Sequence, residues 1–503
     1  AQNLDRSAQH FPEKPAIVFE GRTLTYRALR AAVDRAAHGL VAMGVEAGDR
    51  VALFLPNIPE FAITYLAAQK VGAIAVAINA MLTTEELRYV LADSGARVLF
   101  TTATLLPQVQ PLMGGDLSAE RIVLCEGVAA SFGALDAPAA AVDAPFAARD
   151  MDRDDAAAIL YTSGTTGRQK GAVLSHGNVV SNMYATEHAI GVGPTDRLLL
   201  FLPLFHCFGQ NFIMNTAFNA GATVVLHRRF VAQDILASIE RDGVTMFFAV
   251  PAVYIALLNA GIEPRQLEGI RYYFSAAATM PIEVATRWEE TFERPVHEGY
   301  GLTETSPFAS YNHAWAHRTG SVGTPLEMVE IRVVDTDDRE VPIGVWGEIV
   351  IKGPNVMRGY WNRPVETAAA LKGGWFHTGD IGYRDADDYL FLVDRVKDMI
   401  NVGGFKVWPR EVEEALYRHP AIAECAVVGI PDALKGEIVK LVAVLRPGAM
   451  MTADDVTRYC REHMASYKVP QRVEFVAALP KSATGKILKR VLREQATPAE
   501  VMA

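Results

Sequence analysis

The segment Ala156-Ala-Ala-Ile-Leu-Tyr161 runs straight into Thr162-Ser-Gly-Thr-Thr-Gly-Arg-Gln-Lys-Gly171. The first half is a short apolar run of the kind that forms a buried strand; the second is a loop dense in glycine and hydroxyls. Gly164 and Gly167 let the backbone approach a ligand closely, and successive N–H groups in such a loop form an anion nest. Thr162, Ser163, Thr165 and Thr166 add hydroxyl donors around one cation, Lys170. Together they suit a polyphosphate. A plain surface turn is the alternative reading. A P-loop is excluded by spacing, because that motif needs four residues between its glycines and a Lys-Ser/Thr pair directly after the second.

Outward from this loop, apolar runs such as Arg50 to Pro56 alternate with helical patterns such as Glu60 to Gln69. The alternation predicts layered α/β architecture. Residues 133–150, rich in Ala, Pro and Asp, read as a surface connection. At 503 residues and half apolar composition, the chain holds two or three core-bearing units. Its net charge of −10 argues against a nucleic-acid binder. The four cysteines form no C-x-x-C pair, so neither a zinc site nor a disulfide framework is expected, and a reducing cytoplasm fits. The charge-free stretch from Leu198 to Leu226 is long enough to raise a transmembrane reading. Its Pro203, His206, Gln210 and three asparagines favour buried core with a pocket wall. No secretory signal pattern opens the sequence.

Near residue 395 the texture changes to the dense charge of Asp394-Arg-Val-Lys-Asp398. A boundary is expected there, giving units 1–395 and 396–503. The second carries 16 Lys and Arg against 13 Asp and Glu, so it is net positive while the rest is net negative. A basic lid over an anionic ligand has this sign.

Tyr161 to Gly171 resembles the signature of the adenylate-forming superfamily, which includes acyl-CoA ligases, peptide-synthetase adenylation domains and beetle luciferases. Five further segments match in order and spacing: Tyr300-Gly-Leu-Thr-Glu304, Trp375-Phe-His-Thr-Gly-Asp380, Asp394 to Asp398, Gly403-Gly-Phe-Lys406 and Pro480-Lys-Ser-Ala-Thr-Gly-Lys486. The resemblance implies a large N-terminal domain of two α/β subdomains and a β-barrel, followed by a small mobile α+β lid. It also implies a two-step reaction, in which a carboxylic acid and ATP give acyl-AMP and pyrophosphate, and CoA then gives acyl-CoA and AMP. Activation of this kind needs positioning and charge neutralisation more than a protein nucleophile.

Residue by residue, the resemblance makes Glu304 the Mg²⁺ carboxylate and Thr303 the hydroxyl beside the α-phosphate. Tyr300, between Gly299 and Gly301, stacks on adenine against Ala277, Ala278 and Thr279. Asp380 accepts the ribose hydroxyls, with Arg395 as its partner. Lys486 is the principal catalytic cation; its neighbours Lys481 and Lys489 read as solvated surface charges. Lys397 is the hinge, and Gly403, Gly404 and Phe405 line the thiol tunnel.

The acid pocket is assigned to His206 as gate with Phe208, Gly209, Val250, Ser275, Ala276 and Gly301. Here the chain departs from the family, with Ser275-Ala-Ala-Ala-Thr279 where many relatives carry Ser-Gly-Gly-Ala-Pro. The added methyl groups remove space and put the acid's size in doubt. No assigned lining residue is acidic or basic, so an apolar acid is expected, fatty of medium or long chain rather than aryl. An acyl-AMP ligase loading a carrier-protein phosphopantetheine, a silent acyl or nucleotide sensor, and an oxidative luciferase are the alternatives.

Overall fold

The computed structural model describes residues 1–113, 119, 121–125, 144–162 and 169–495. Two α/β sheets form the larger part. The first has seven strands in the order Gly359–Tyr360, Lys170–Ser175, Ala156–Thr162, Ile74–Ala77, Arg50–Leu53, Val98–Thr101 and Arg121–Leu124. The five strands from Ala156–Thr162 onward pair in parallel. Those in the middle are buried on both faces, which is why they read as unbroken apolar runs. The second sheet has nine strands, with Tyr272–Ser275, Met246–Ala249, Arg197–Leu200 and Thr223–Leu226 in parallel at its centre.

Helix Pro59–Val71 lies between these sheets, every residue buried. Proline at its start and left-handed Gly72 at its end are the standard terminators. Its Gln69 side chain donates to the Ala157 carbonyl of the first sheet at 2.8 Å, and its Tyr65 hydroxyl accepts at 3.2 Å from Asn215, which ends the π-helix that follows strand Arg197–Leu200 of the second sheet. The stretch Leu198 to Leu226 is core, as expected: strand, π-helix Phe208–Asn215, helix Thr216–Ala220, strand. None of the described helices is long and apolar enough to cross a membrane. The four cysteines are buried and free.

The expected β-barrel is a correction. Residues 330–395 form an open four-stranded antiparallel sheet, Glu330–Val334, Gly347–Lys352, Phe376–Arg384 and Leu390–Arg395. Closure requires the two outer strands to pair, and here other backbone takes up part of the edge. Leu390 exchanges hydrogen bonds with Val322 and Gly323 at 2.8 to 2.9 Å. A last sheet, built wholly from residue 400 onward, contains Phe405–Val407, Ile400–Val402, Gly436–Leu445, Ile422–Asp432 and Arg472–Phe475. Helices Pro409–Tyr417 and Ala453–His463 accompany it.

Candidate active site

The loop expected to bind phosphate connects the two strands of a β-hairpin. Strands Ala156–Thr162 and Lys170–Ser175 are antiparallel, and Thr162 opposite Lys170 is their last pair. The chain leaves the loop as a strand, whereas a P-loop enters a helix, so the two signals against that motif agree. Tyr89 steadies the loop's exit by donating to the Gln169 carbonyl at 2.8 Å. Ser163, Gly164, Thr165, Thr166 and Gly167 lie outside the described residues.

Lys170 places its ammonium 5.2 Å from the centre of the Tyr360 ring, and the Tyr360 hydroxyl donates to Glu304 Oε1 at 2.9 Å. The hairpin is thereby linked to Glu304, the middle residue of a short 3₁₀ turn, Thr303–Thr305, after strand Val296–Gly301. Burial raises the Glu304 carboxyl above its ordinary range. No ion pair reaches it among the described residues. A buried carboxylate of this kind fits a hard divalent cation such as Mg²⁺, which takes one or two carboxylates and fills its remaining sites with phosphate oxygens. Tyr360 was not singled out by sequence, because a lone tyrosine reads as core.

Among the residues expected to bind the nucleoside, the Tyr300 hydroxyl donates to Asp380 Oδ2 at 2.7 Å, and Arg395 Nε meets Asp380 Oδ1 at 2.7 Å. Asp380 and Arg395 face each other across adjacent strands. Burial works against the Arg395 charge, but Asp380 and Tyr300 outweigh it and the guanidinium stays protonated. Ala277 adopts a left-handed φ of 70°, a region an alanine enters only under constraint.

Lys486 is delivered from the small unit by a tight hairpin in which Lys481 bridges Ile487 and Ser482 accepts from the Lys486 amide at 3.2 Å. Gly485, at φ 79°, packs so closely on Val250 that an added Cβ would meet its Cγ2 at 2.7 Å. This brings Lys486 into the same charge field as Arg395, Asp380 and His206. Much of its own surface stays accessible from the cleft. Crowding by the cleft walls nonetheless desolvates the ammonium, and with Arg395 nearby its pKa falls to about 8. Lys481 and Lys489 are part-buried and ion-paired rather than free surface charges, contrary to expectation. They pair with Glu424 at 2.7 Å and Glu413 at 2.9 Å, and Arg493 pairs with Asp398 at 2.6 Å, so ion pairs brace the Lys486 hairpin.

Burial, aided by Lys486, lowers the His206 imidazole to about 4, so it is neutral at pH 7. Its Nδ1 accepts from the Phe208 amide at 3.2 Å, which leaves Nε2–H as the donor. Cys207 beside it lies 3.5 Å from the Thr303 hydroxyl. Phe208 backs onto a block of rings: it packs edge-on against Phe212, which stacks on Phe308 at 4.3 Å and on Phe274 at 5.1 Å. Gly209 and Gly301 are close-contact positions, where a Cβ would stand 2.5 Å from the Pro203 carbonyl and 1.7 Å from that of Pro307. Gly299 is equally tight against Phe308 and Phe274. Ser275 and Ala276 are buried at the end of their strand.

The structure does not bring every assigned residue to the cleft. Gly403, Gly404 and Phe405 are exposed on the small unit, with the Phe405 ring stacked on Tyr467 at 4.8 Å. Lys397 is exposed in the 3₁₀ turn Val396–Asp398 between the two units.

Two family models match the chain, the AMP-binding enzyme model over residues 4–361 and the AMP-binding enzyme C-terminal domain over 411–486. A feruloyl-CoA synthase from Amycolatopsis is 38% identical over 497 residues, covering 97% of each chain. A long-chain-fatty-acid–CoA ligase from Bacillus subtilis is 34% identical, covering 98% of this chain and 94% of its own. ATP-bound MatB from Rhodopseudomonas palustris superposes with a TM-score of 0.91 at 33% identity, covering 99% of this chain and 100% of MatB. The apo form of MatB gives 0.79, so the arrangement seen here resembles the ATP-bound form more than the apo form. Taken with the Lys170–Tyr360–Glu304 and Tyr300–Asp380–Arg395 groupings, these matches place the chain in the adenylate-forming superfamily, as an ATP-dependent acyl-CoA ligase that works through an acyl-AMP intermediate.

Proposed function

We propose that the acid is compact and apolar, an aryl or medium-chain carboxylic acid rather than a long-chain one. The observation that carries this reading is the ring block behind Phe208. Phe212, Phe274 and Phe308 are almost fully buried and mutually stacked, and close-packed interiors do not yield space for additional methylenes without strain. An acid whose apolar body ends at Phe208 fits in front of them. Feruloyl-CoA synthase and long-chain-fatty-acid–CoA ligase are similarly related to the chain, so relatedness alone does not choose. A fatty acid of longer chain is the second reading, and the uncharged pocket assignment supports it equally.

In the first step a carboxylate oxygen attacks the α-phosphorus of ATP, and pyrophosphate leaves. The loop 163–167 with Lys170 and Thr162 holds the phosphates; Asp380 accepts the ribose hydroxyls; Tyr300 and Ala277 to Thr279 flank adenine. Glu304 would hold Mg²⁺, which supplies charge neutralisation to the phosphates. Thr303 donates to the α-phosphate, neutral His206 donates through Nε2–H toward the carboxylate, and Lys486 stabilises the charge that builds between them. In the second step the small unit, residues 396–503, turns at Lys397. Gly403, Gly404 and Phe405 then line the approach of a thiol, whose sulfur attacks the acyl carbon while AMP leaves. Left-handed Gly403 and Gly404 meet no atom within 4 Å of a built Cβ, which suits a loop that moves. CoA is the proposed thiol, with a carrier-protein phosphopantetheine as the alternative, and the free cysteines support a cytoplasmic setting.

The test is pyrophosphate release with ATP across acids from acetate to long-chain and aryl carboxylates. A kcat/KM highest for aryl or medium-chain acids supports the reading; one that climbs to the longest chains overturns it.

A further inference from the structure

We propose that Glu414 is a positioning residue that holds the small unit in its adenylation orientation and, through the same contact, fixes the adenine-side segment Ala276–Ile282.

This segment joins strand Tyr272–Ser275 to helix Ile282–Phe292 and contains left-handed Ala277. A conformation that costs an alanine about 1 kcal/mol persists only where the flanking backbone is tied down. Two of its ties are carboxylates. Met280 donates its amide to Glu298 Oε2 at 3.2 Å, from the same unit. Ile282 donates its amide to Glu414 Oε2 at 3.2 Å, from helix Pro409–Tyr417 of the small unit. Ile282 is the first residue of its helix, where the N–H has no intrahelical acceptor, and Pro281 before it provides no side-chain cap. Glu414 therefore caps this helix from another unit, and its charge sits at the positive end of the helix dipole.

Glu414 is itself aimed. Its other oxygen lies 3.4 Å from Arg410 Nε one turn earlier. The Arg410 amide donates to Asp394 Oδ2 at 3.0 Å, and its guanidinium donates to the Leu392 carbonyl at 2.6 Å. Asp394 and Leu392 belong to the strand just before the turn that holds Lys397. A rotation at Lys397 withdraws Glu414 from Ile282 and leaves that helix uncapped. The contact thus rewards one orientation only, the one in which Lys486 faces the cleft. The inference rests on the proposed turn at Lys397.

The experiment measures two half-reactions in Glu414→Ala and Glu414→Gln: acid-dependent ATP–pyrophosphate exchange, and thioester formation from supplied acyl-AMP and CoA. Glu414→Ala is expected to raise the KM for ATP in exchange about tenfold while thioester formation from acyl-AMP stays at or above the wild-type rate. Glu414→Gln, whose amide oxygen still accepts from Ile282, is expected to recover most of the loss and guards against misfolding of the alanine variant. Unchanged exchange, or equal loss in both half-reactions, overturns the proposal. Lys397→Pro separates the two ideas. If it blocks thioester formation while the Glu414 variants show no split, the latch alone is wrong; if thioester formation survives it, the turn itself is wrong.

Discussion

Arg395 Nε and Asp380 Oδ1 lie 2.7 Å apart across neighbouring strands, while the Tyr300 hydroxyl occupies the other oxygen of the same carboxylate. The aspartate is oriented before any nucleotide arrives, and a charged acceptor bonds hydroxyls more strongly than a neutral one. Asp380→Asn should lower kcat/KM for ATP by about a factor of ten to a hundred, the equivalent of about 1.5–3 kcal/mol for a hydrogen bond to a charged group. An ATP titration of acid-dependent pyrophosphate release measures this, and an unaltered value would contradict the ribose assignment.

Lys486 should be separable from the rest of the site. Lys486→Ala is expected to reduce adenylation at least a hundredfold and to leave thioester formation from supplied acyl-AMP largely intact. Equal loss in both half-reactions would remove it from the first step.

The pH profile provides an independent view of the same ammonium. Its pKa is lowered to about 8, so the charged form is lost as pH rises through that value. The kcat/KM for adenylation, which reports the free enzyme, should therefore fall on an alkaline limb near pH 8. Lys486→Arg keeps its charge at such pH and should abolish that limb whatever its absolute rate. A limb that persists in the arginine variant belongs to another group.

Much of this was legible in the sequence. The strand over Ala156 to Tyr161 leading into a loop was readable because an apolar run meets glycine and hydroxyl density with no ambiguity of period, whereas the return strand Lys170–Ser175 was not. Helix Pro59–Val71 was readable from the helical pattern of Glu60 to Gln69 after an apolar run, although the burial of its Glu60, Gln69 and Lys70 was not. The barrel was not, since closure depends on which edges find each other, and no local pattern records that. Nor were Tyr360 and Glu414. The first is an aromatic whose role depends on Lys170 and Glu304 meeting around it, and the second bonds a backbone amide 132 residues away. Lys489 misled for the same reason: its charge read as solvated because its partner, Glu413, lies on a different element.

Two glycines should separate fold from chemistry, the tight Gly301 reporting on stability and the open Gly403 on thioester formation. Gly301→Ala drives a Cβ to 1.7 Å from the Pro307 carbonyl, an overlap that backbone can relieve only by moving, at a cost of about 3 kcal/mol. Its melting temperature should drop by several degrees. Gly403→Ala meets nothing within 4 Å and pays only left-handed strain of about 1 kcal/mol, so its melting point should barely move while thioester formation slows. Thermal unfolding of the two variants side by side checks the contrast.

The central claim is tested most directly by pyrophosphate release from ATP and Mg²⁺ with an accepted acid, run with CoA and without. The account predicts sustained turnover with CoA and accumulation of acyl-CoA and AMP in equal amounts, against a single burst of enzyme-bound acyl-AMP when CoA is left out. A burst of the same size that CoA does not convert to turnover would contradict CoA as the acceptor and turn attention to a carrier-protein thiol.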